Sequence, residues 1–301
     1  MAFPYITDIV NAILGTQWHL PLPTFGMLVA AAILLAALVA RSEVLRQEWL
    51  GNLAPAAHTI VLDLAGIAAV AGIVGARVFY ILDHSSEFGA DPLAMIFSRG
   101  GFSIYGGICF GAVAGVLFLK ARRIPIAPML DAVAPGMMLG YGIGRIGCQL
   151  AGDGDWGIQA NMALKPNWLP DWLWAQTYEG NILGVTIPPP GVYPTPIYES
   201  VAALLLFSIL WAFKFHRNGT GFLFSMYLLL AGFERLLIEK IRVNAKHDVL
   251  GVFLTQAEMI SMILIVTGCV GMLLRWRGRR LWVKALFSAG VLAALSACVP
   301  I

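Results

Sequence analysis

The sequence has little charge. Asp, Glu, Lys and Arg make up 12% of its 301 residues, whereas a soluble domain carries about 25%. So low a share excludes a soluble globular enzyme, a disordered chain and a nucleic-acid binder. Hydrophobic residues make up 59% of the chain and occur in long blocks. That pattern is typical of a polytopic membrane protein.

Cofactor motifs are also missing. The sequence contains no P-loop, no HExxH, no GxSxG and no dinucleotide fingerprint in its strand context. The four cysteines lie far apart, without metal-ligand spacing or a disulfide framework: Cys109, Cys148, Cys269 and Cys298. Nothing in these patterns points to nucleotide or metal chemistry.

Seven stretches are apolar enough for transmembrane helices, which need about 20 mostly apolar residues. They run from Thr24 to Ala40, Thr59 to Leu82, Phe102 to Leu119, Pro128 to Cys148, Tyr198 to Phe213, Gly221 to Ile241 and Thr255 to Leu274. We therefore predict an all-α fold with seven transmembrane helices in residues 24–274. An N-terminal segment, residues 1–23, precedes them.

The loops indicate the orientation. Lys and Arg accumulate after the first, third, fifth and seventh spans, and cytoplasmic loops carry such an excess. We therefore expect the N-terminus outside. The outer segment 151–197 is too long for a simple turn and rich in Trp, which favours the headgroup region. We predict a small periplasmic head on the membrane surface; a sugar- or base-binding platform of tryptophans is the alternative.

The presence of each charged residue inside a span requires a structural or functional explanation, because burying one in a membrane costs at least ~2.5 kcal/mol. The costly groups, with one tyrosine, belong to the outer parts of five spans: Arg77, Tyr105, Arg145, Glu199, Arg235, Glu239 and Arg242. Arg235 and Glu239 are four residues apart and can pair. The arginines outnumber their expected partners, and arginine matches phosphate oxygens bidentately. We predict one layer that binds a phospholipid headgroup; an ion-pair network that pins the helices is the alternative.

Glycines surround these residues. Gly136, Gly140 and Gly144 repeat every four residues, a spacing that lets helix backbones approach closely. Tyr105 is followed by Gly106 and Gly107, which would leave room for a ligand against the backbone. Simple helix packing is the alternative for this pair.

Several blocks resemble the motifs of the prolipoprotein diacylglyceryl transferase family, in family order from span two to span seven. They are Gly75-Ala76-Arg77 with Tyr80, Gly100 to Gly107, Gly142 to Cys148 with Gly152 to Gly157, Tyr193 to Glu199, and Arg235 to Glu239 with Arg242. The resemblance implies transfer of the diacylglyceryl group of phosphatidylglycerol to the thiol of a lipobox cysteine in a secreted preprotein. It also implies a multi-pass protein of the bacterial inner membrane, whose active site faces the periplasm.

The same resemblance implies the partners and the site. The partners would be phosphatidylglycerol, signal peptides of prolipoproteins and membrane lipids, with no cofactor. Arg145 and Arg235 would bind the phosphate and stabilise the charge that develops on it, and Tyr105 joins them as a catalytic candidate. The expected substrate-binding residues are Arg77, Tyr80, Gly106, Gly107, Cys148, Asp153, Asp155, Gly157, Tyr198, Glu199, Glu239 and Arg242.

The chain departs from the family pattern at the site. Tyr105 stands where the family has histidine, and a tyrosine of pKa about 10 is a poor base unless arginines lower that pKa. Cys148 replaces an asparagine. Either Asp153 or Asp155 replaces a glutamate, because the motif has one extra residue. The acceptor of the thiol proton therefore stays open.

Residues 275–301 resemble a signal peptide, although they lie at the C-terminus and signal peptides are N-terminal. A basic region and an apolar region precede Leu295-Ser296-Ala297-Cys298, which reads as a lipobox. The tail is an eighth span, a substrate-like segment with Cys298 as acceptor, or a fusion or frame accident. For the whole chain, two other functions stay open: a transporter or flippase of an anionic solute, and a non-catalytic relative that binds phospholipid or signal peptides.

Overall fold

A computed structural model describes residues 1–97, 101–215, 218–249 and 252–276. Most of these residues are helical. The α-helices are α1 (Ile6–Leu14), α2 (Thr24–Trp49), α3 (Val61–Asp83), α4 (Ser85–Ala90), α5 (Pro92–Phe97), α6 (Ile104–Ala121), α7 (Ile126–Ala151), α8 (Asp171–Trp174), α9 (Thr195–Phe213), α10 (Phe222–Ile238) and α11 (Gln256–Arg275). The tail beyond Trp276, with Cys298, lies outside the described residues.

Shorter elements complete the fold, which is mostly helical as predicted but also contains one short β-hairpin. Strands β1 (Lys246–Val249) and β2 (Val252–Thr255) pair antiparallel, with Lys246 opposite Thr255. Short 3-10 helices cover Ala57–Ile60, Met162–Leu164 and Glu239–Ile241. The hairpin occupies a loop that the sequence reading left without structure, and α1 lies in the N-terminal segment, where no helix was expected.

Six of the described helices are long and apolar enough to cross a membrane: α2, α3 with its preceding 3-10 turn, α6, α7, α9 and α11. The chain is accordingly a multi-pass membrane protein. Helix α10 coincides with the predicted sixth span but has 17 residues, and the 3-10 turn Glu239–Ile241 follows it directly. A total of seven spans therefore stays a prediction.

Helix α2 runs well past its predicted end at Ala40. Arg41 and Arg46 were expected in a loop and instead lie in the last turns of this helix. Arg46 Nε lies 2.7 Å from the carboxylate of Glu43, three residues earlier. Val44, beyond Ala40, is fully buried in a core with Ala40 and Leu53. The helix therefore stays packed past the end of its continuous apolar run, and the apolar pattern alone placed its end too early.

The chain divides into a larger unit, Met1–Ala36 with Ala134–Ile301, and a smaller unit, Ala37–Val133. In the larger unit, α9, α10 and α11 enclose a core that includes Leu210, Phe222 and Ile265. Gly268 of α11 lies so close to α10 that an added Cβ would collide with the backbone of Ser225 and Leu229. The core therefore depends on close helix contact, as expected of apolar helices that pack by shape.

The glycine pattern of α7 is confirmed in part. Gly136 and Gly140 pack against Ala36 and Ala32 of α2. Gly144 has open space beside it, so the prediction that it mediates close packing is wrong. Gly142 takes that role against α9, where a Cβ would lie 3.2 Å from Ala203. The helix turns two different faces to two neighbours, which a single four-residue repeat cannot describe.

In the smaller unit, α3 and α6 touch at paired glycines. An added Cβ at Gly75 or at Gly106 would collide with the carbonyl oxygen of the other residue. Helix α3 therefore fills the space beside Gly106, and the expectation that this glycine leaves room for a ligand is wrong. Gly107 makes a looser contact, since its Cβ would lie 3.4 Å from the carbonyl oxygen of Gly72.

The segment between α7 and α9 folds back on itself through backbone hydrogen bonds. Gln176 and Val192 exchange two of them, 2.9 and 3.0 Å long. Trp168 is 81% exposed and Trp172 is 58% exposed; their position at a membrane surface stays a prediction. Trp156 instead packs on Tyr178, with ring centroids 5.0 Å apart. We call residues 152–194 the head.

Candidate active site

Charged side chains from three helix ends and the head meet in the larger unit. We call this set the arginine cluster: Arg145, Asp155, Glu199, Arg235, Glu239 and Arg242. Arg145 lies in the last two turns of α7, and Glu199 in the first two turns of α9. Arg235 ends α10. The fold thus brings together five residues that the sequence singled out by their cost in a membrane, and adds Asp155.

Glu199 is the centre of the cluster. Its side chain is 0% exposed and is surrounded by guanidinium groups. Arg145 Nε lies 2.7 Å from Oε2, and Arg145 Nη2 donates to Oε1 at 3.1 Å. Arg235 Nη1 and Arg242 Nη1 donate to the same Oε1 at 3.1 and 3.4 Å. A buried carboxylate needs such partners, so Glu199 fixes the positions of three arginines at once.

Asp155 joins two of these arginines from the head. It pairs with Arg145 Nη1 and accepts a 2.6 Å hydrogen bond from Arg242 Nη2. Burial raises the pKa of Asp155, but the two guanidinium groups outweigh burial and lower that pKa to about 2. The side chain is nevertheless 36% exposed. Asp155 is therefore a carboxylate at neutral pH that bridges two arginines within reach of solvent.

Arg235 and Glu239 form the predicted pair. Arg235 Nη2 lies 2.9 Å from Glu239 Oε2, and Asn244 Nδ2 donates to Oε1 at 2.6 Å. The Arg235 side chain is 26% exposed, against 11% for Arg145 and 10% for Arg242. Of the three guanidinium groups, that of Arg235 is the most accessible to a ligand.

The expected surplus of arginine is wrong for this cluster. Three guanidinium groups face three carboxylates, those of Asp155, Glu199 and Glu239. An unbalanced positive charge therefore does not by itself argue for an anion site. The argument now depends on which carboxylate a phosphate could replace, and Asp155 is the exposed one.

The structure separates the two aspartates that the sequence left ambiguous. Asp155 contacts the arginines, whereas Asp153 accepts a 3.2 Å hydrogen bond from the Asp155 backbone and lies beside Cys148. Burial raises the pKa of Asp153. Asp155 is accordingly the residue that supplies a carboxylate to the arginines.

Cys148 contacts Arg145 of the arginine cluster. Its side chain is buried, and its Sγ accepts a 3.3 Å hydrogen bond from Arg145 Nη1. Donor atoms of Cys148, Asp153 and Asp155 lie within 4.8 Å of one another, as metal ligands can. Arg145 already donates to two of the three, so the cation that this group holds is a guanidinium.

Gly157 and Tyr198 were expected to bind substrate, and the structure gives both a contact with the chain itself. An added Cβ at Gly157 would collide with the carbonyl oxygen of Ile241 and with Thr195, so this glycine lets the head approach Arg242. The Tyr198 hydroxyl donates to the carbonyl oxygen of Leu173, 2.6 Å away. These contacts hold the head, and with it Asp155, against the helices.

Two neighbours of the cluster were missed by the sequence reading. Glu234 precedes Arg235 on α10, and the Tyr141 hydroxyl lies 3.4 Å from each of its carboxylate oxygens. The Tyr141 ring centroid is 5.6 Å from the guanidinium carbon of Arg145. Glu234 is a charged residue inside a predicted span, so the cost argument that found Arg235 applies to it equally.

The motif residues of the smaller unit lie near one another. The Arg77 guanidinium carbon is 4.3 Å from the Phe102 ring centroid. The Tyr80 ring stacks on His84 and occupies the space where Gly101 would carry a Cβ. Tyr105 is partly buried in the first turn of α6. The prediction that these groups share a depth with the arginine cluster stays a prediction.

Comparison with known proteins identifies the class. The sequence model of the prolipoprotein diacylglyceryl transferases matches residues 13–274. The chain belongs to this family. Proteins named phosphatidylglycerol–prolipoprotein diacylglyceryl transferase are similar to it along most of their length. That of Corynebacterium glutamicum is 30% identical over 75% of this chain and 72% of its own. That of Leptospira interrogans is 29% identical over 93% of this chain and 96% of its own.

Proposed function

We propose that this chain transfers the diacylglyceryl group of phosphatidylglycerol to the lipobox cysteine of prolipoproteins, the first step of bacterial lipoprotein maturation. Family membership over residues 13–274 supports this activity, and so do the names of the relatives. The observation that carries it is the arginine cluster, in which a buried Glu199 aligns Arg145, Arg235 and Arg242. Such preorganised donors stabilise a developing phosphate charge.

The phosphate of the lipid takes the place of the Asp155 carboxylate. Asp155 bridges Arg145 and Arg242 from a 36% exposed position, and phosphate oxygens offer arginine the same bidentate acceptors. Arg235 is open enough to add a third contact. Glu199 and Glu239 stay in place during the exchange, because they are buried and hold the guanidinium groups.

The reaction is an alkyl transfer at the glyceryl carbon. The substrate sulfur forms a bond with this carbon while the bond from carbon to phosphate oxygen breaks. The electron pair of the broken bond goes to that oxygen, which leaves as glycerol phosphate. The thiol gives up its proton to a base. Arg145 and Arg235 stabilise the leaving phosphate, and each such donor commonly contributes ~3 to 4 kcal/mol.

The setting of this reaction is part of the proposal. Seven spans with the N-terminus outside place the arginine cluster at the periplasmic face of the inner membrane, with the head above it. Phosphatidylglycerol arrives from the outer leaflet, and the signal peptide of the prolipoprotein from the membrane. Arg77, Tyr80, Tyr105 and Gly107 remain candidates for binding one of the two substrates.

Transfer to a synthetic peptide tests the function. Purified protein is mixed with phosphatidylglycerol vesicles and a lipobox peptide, and mass spectrometry measures the diacylglyceryl adduct. Arg145→Ala and Arg235→Ala should each reduce turnover by about 100-fold or more. Arg122→Ala is the matched control, since Arg122 is an exposed residue just past the end of α6.

The results separate the candidate functions. Near-wild-type turnover of Arg145→Ala would remove this arginine from the mechanism. A wild-type protein that binds phosphatidylglycerol but forms no adduct would be a non-catalytic relative. The same two variants can also be expressed in a transferase-depleted bacterium. If they fail to restore growth while the wild-type protein restores it, the activity measured in vitro is the one that the cell requires.

A further inference from the structure

Glu234 is a carboxylate beside the arginine cluster that has no arginine of its own within the described residues. Asp155, Glu199 and Glu239 each lie within ion-pair distance of a guanidinium group. Within the described residues, no cationic nitrogen lies within 4.0 Å of the Glu234 carboxylate, whose hydrogen bonds come from Tyr141. Glu234 is also partly buried. A carboxylate without a paired cation takes up a proton at lower cost than one held in an ion pair.

The pair of Glu234 and Tyr141 borders the cluster directly. Tyr141 lies one helical turn before Arg145 on α7, so both side chains share a face. The ring of Tyr141 lies against the Arg145 guanidinium, 5.6 Å from centroid to carbon. Glu234 is the residue before Arg235. A thiol that attacks a lipid held by Arg145 and Arg235 would therefore approach this pair.

The proposed reaction needs a proton acceptor that the buried carboxylates of the arginine cluster do not supply. Glu199 and Glu239 accept from guanidinium groups throughout, and a proton on either would break the ion pairs that align the arginines. Tyrosine side chains are weak bases near neutral pH, which argues against Tyr105 in this role. We infer that Glu234, hydrogen-bonded to Tyr141, accepts the proton of the substrate thiol.

This step rests on the proposed function and supplies the proton acceptor that the proposed reaction requires. The S–H bond breaks and its proton moves to a carboxylate oxygen of Glu234. The sulfur electron pair forms the new carbon–sulfur bond, and glycerol phosphate leaves with the electrons of the carbon–oxygen bond. Tyr141 is a positioning residue, because its hydroxyl orients the carboxylate without touching the substrate. Glu234 later returns the proton to water.

The charged and titratable groups that act on Glu234 come from three helices. They are Tyr141 and Arg145 of α7, Glu199 of α9, and Arg235 and Tyr227 of α10. Among the described residues, two arginines and one carboxylate act on it electrostatically, from beyond ion-pair distance. A pH dependence assigned to Glu234 must therefore be separated from effects on the arginines, which stay protonated throughout the accessible range.

Substitution combined with a more acidic nucleophile tests the inference. Glu234→Gln keeps the size of the side chain and removes the base, and we expect turnover with a cysteine peptide to fall about 100-fold at neutral pH. The same variant should recover most of its activity with a selenocysteine peptide, because a selenol ionises without help. Arg235→Ala should be slow with both peptides.

The outcomes separate this inference from the proposed function. Equal losses of Glu234→Gln with both peptides would mean that Glu234 only supports the structure, and an unchanged rate would mean that it has no role; either result overturns the inference while wild-type transfer upholds the function. Absence of transfer by the wild-type protein would overturn both. Binding of phosphatidylglycerol by Glu234→Gln and partial activity of Glu234→Asp show that the variants are folded.

Discussion

At the scale of single residues, the arginine cluster divides its carboxylates between two tasks. Glu199 and Glu239 are buried and hold guanidinium groups in place. Asp155 comes from the head, is partly exposed, and pairs with the same arginines. A buried carboxylate that lost its partners would be strongly unfavourable, whereas an exposed one can exchange them with a ligand. The exchange with phosphate is therefore assigned to Asp155.

The low pKa of Asp155 makes its pairing measurable in acid. Its pKa of about 2 lies below the ordinary value of 3.8. The pairing therefore stabilises the fold at pH values above about 3.8 and loses this effect as the pH falls towards 2. Asp155→Asn should lower the melting temperature at pH 5, and the difference from wild type should shrink between pH 4 and pH 2. A difference that stays constant over this range would contradict the pairing.

The role of the Tyr198 hydroxyl, structural or substrate-binding, can be tested by substitution. Its hydroxyl donates to the Leu173 carbonyl and so joins α9 to the head. Tyr198→Phe should destabilise the protein by about 1 kcal/mol, seen as a lower melting temperature, while the KM for phosphatidylglycerol stays within twofold. If the KM rises and the melting temperature does not change, the hydroxyl binds substrate as the family resemblance implies.

The residues that sequence reasoning found and missed differ for a physical reason. A charge inside an apolar span is costly wherever it points, so Arg145, Glu199 and Arg235 could be selected without coordinates. The choice between Asp153 and Asp155 depends on how a loop turns. Gly154 has a φ of +97°, a conformation that L side chains rarely adopt, and such a turn cannot be placed from spacing alone.

At the scale of elements, the long apolar helices could be predicted and their contacts could not. Each of the seven predicted stretches overlaps a helix, because apolar length is a property of the sequence itself. Helix α2 was cut short because its continuous apolar run ends at Ala40, although Val44 is still buried in a hydrophobic core. Short elements could not be predicted, because they give no long hydrophobic periodicity in the sequence. They are the hairpin β1–β2 and the helices α4 and α5.

The contact between α3 and α6 gives a test at this scale. Gly75→Ala would place a methyl group against the Gly106 carbonyl and the Phe110 side chain, so the two helices would have to separate. We expect a loss of about 1 to 3 kcal/mol in the free energy of unfolding. Gly66→Ala on the same helix is the matched control, because nothing lies within 4 Å of its added Cβ. It should be neutral or slightly stabilising.

A comparison of these two alanine variants separates packing from ligand contact. If Gly75→Ala keeps its melting temperature but loses affinity for phosphatidylglycerol, the glycines serve a ligand and the contact between α3 and α6 is not required. Equal melting temperatures and equal affinities for the two variants would contradict both interpretations.

At the scale of the whole molecule, the two units have separate roles in the proposal. The larger unit contains the arginine cluster, the head, Tyr141 and Glu234. The smaller unit contains Arg77, Tyr80 and Tyr105. The phosphate and proton-transfer steps assigned above use residues of the larger unit alone. Variants of Tyr105 should therefore alter the affinity for lipid or peptide more than the rate of the chemical step.

Orientation in the membrane decides whether these parts can meet their substrates. Lys120 lies in the last turn of α6, and Arg122 and Arg123 follow this helix. Such clusters favour the cytoplasm, so we predict that they face the cytoplasm and that the head faces the outside. In a background without Cys109 and Cys298, the Trp168→Cys variant should react with a membrane-impermeant maleimide in intact cells. The Arg122→Cys variant should react only after the membrane is opened. The reverse pattern would put the head in the cytoplasm, away from secreted preproteins, and transfer at the outer leaflet would then be impossible.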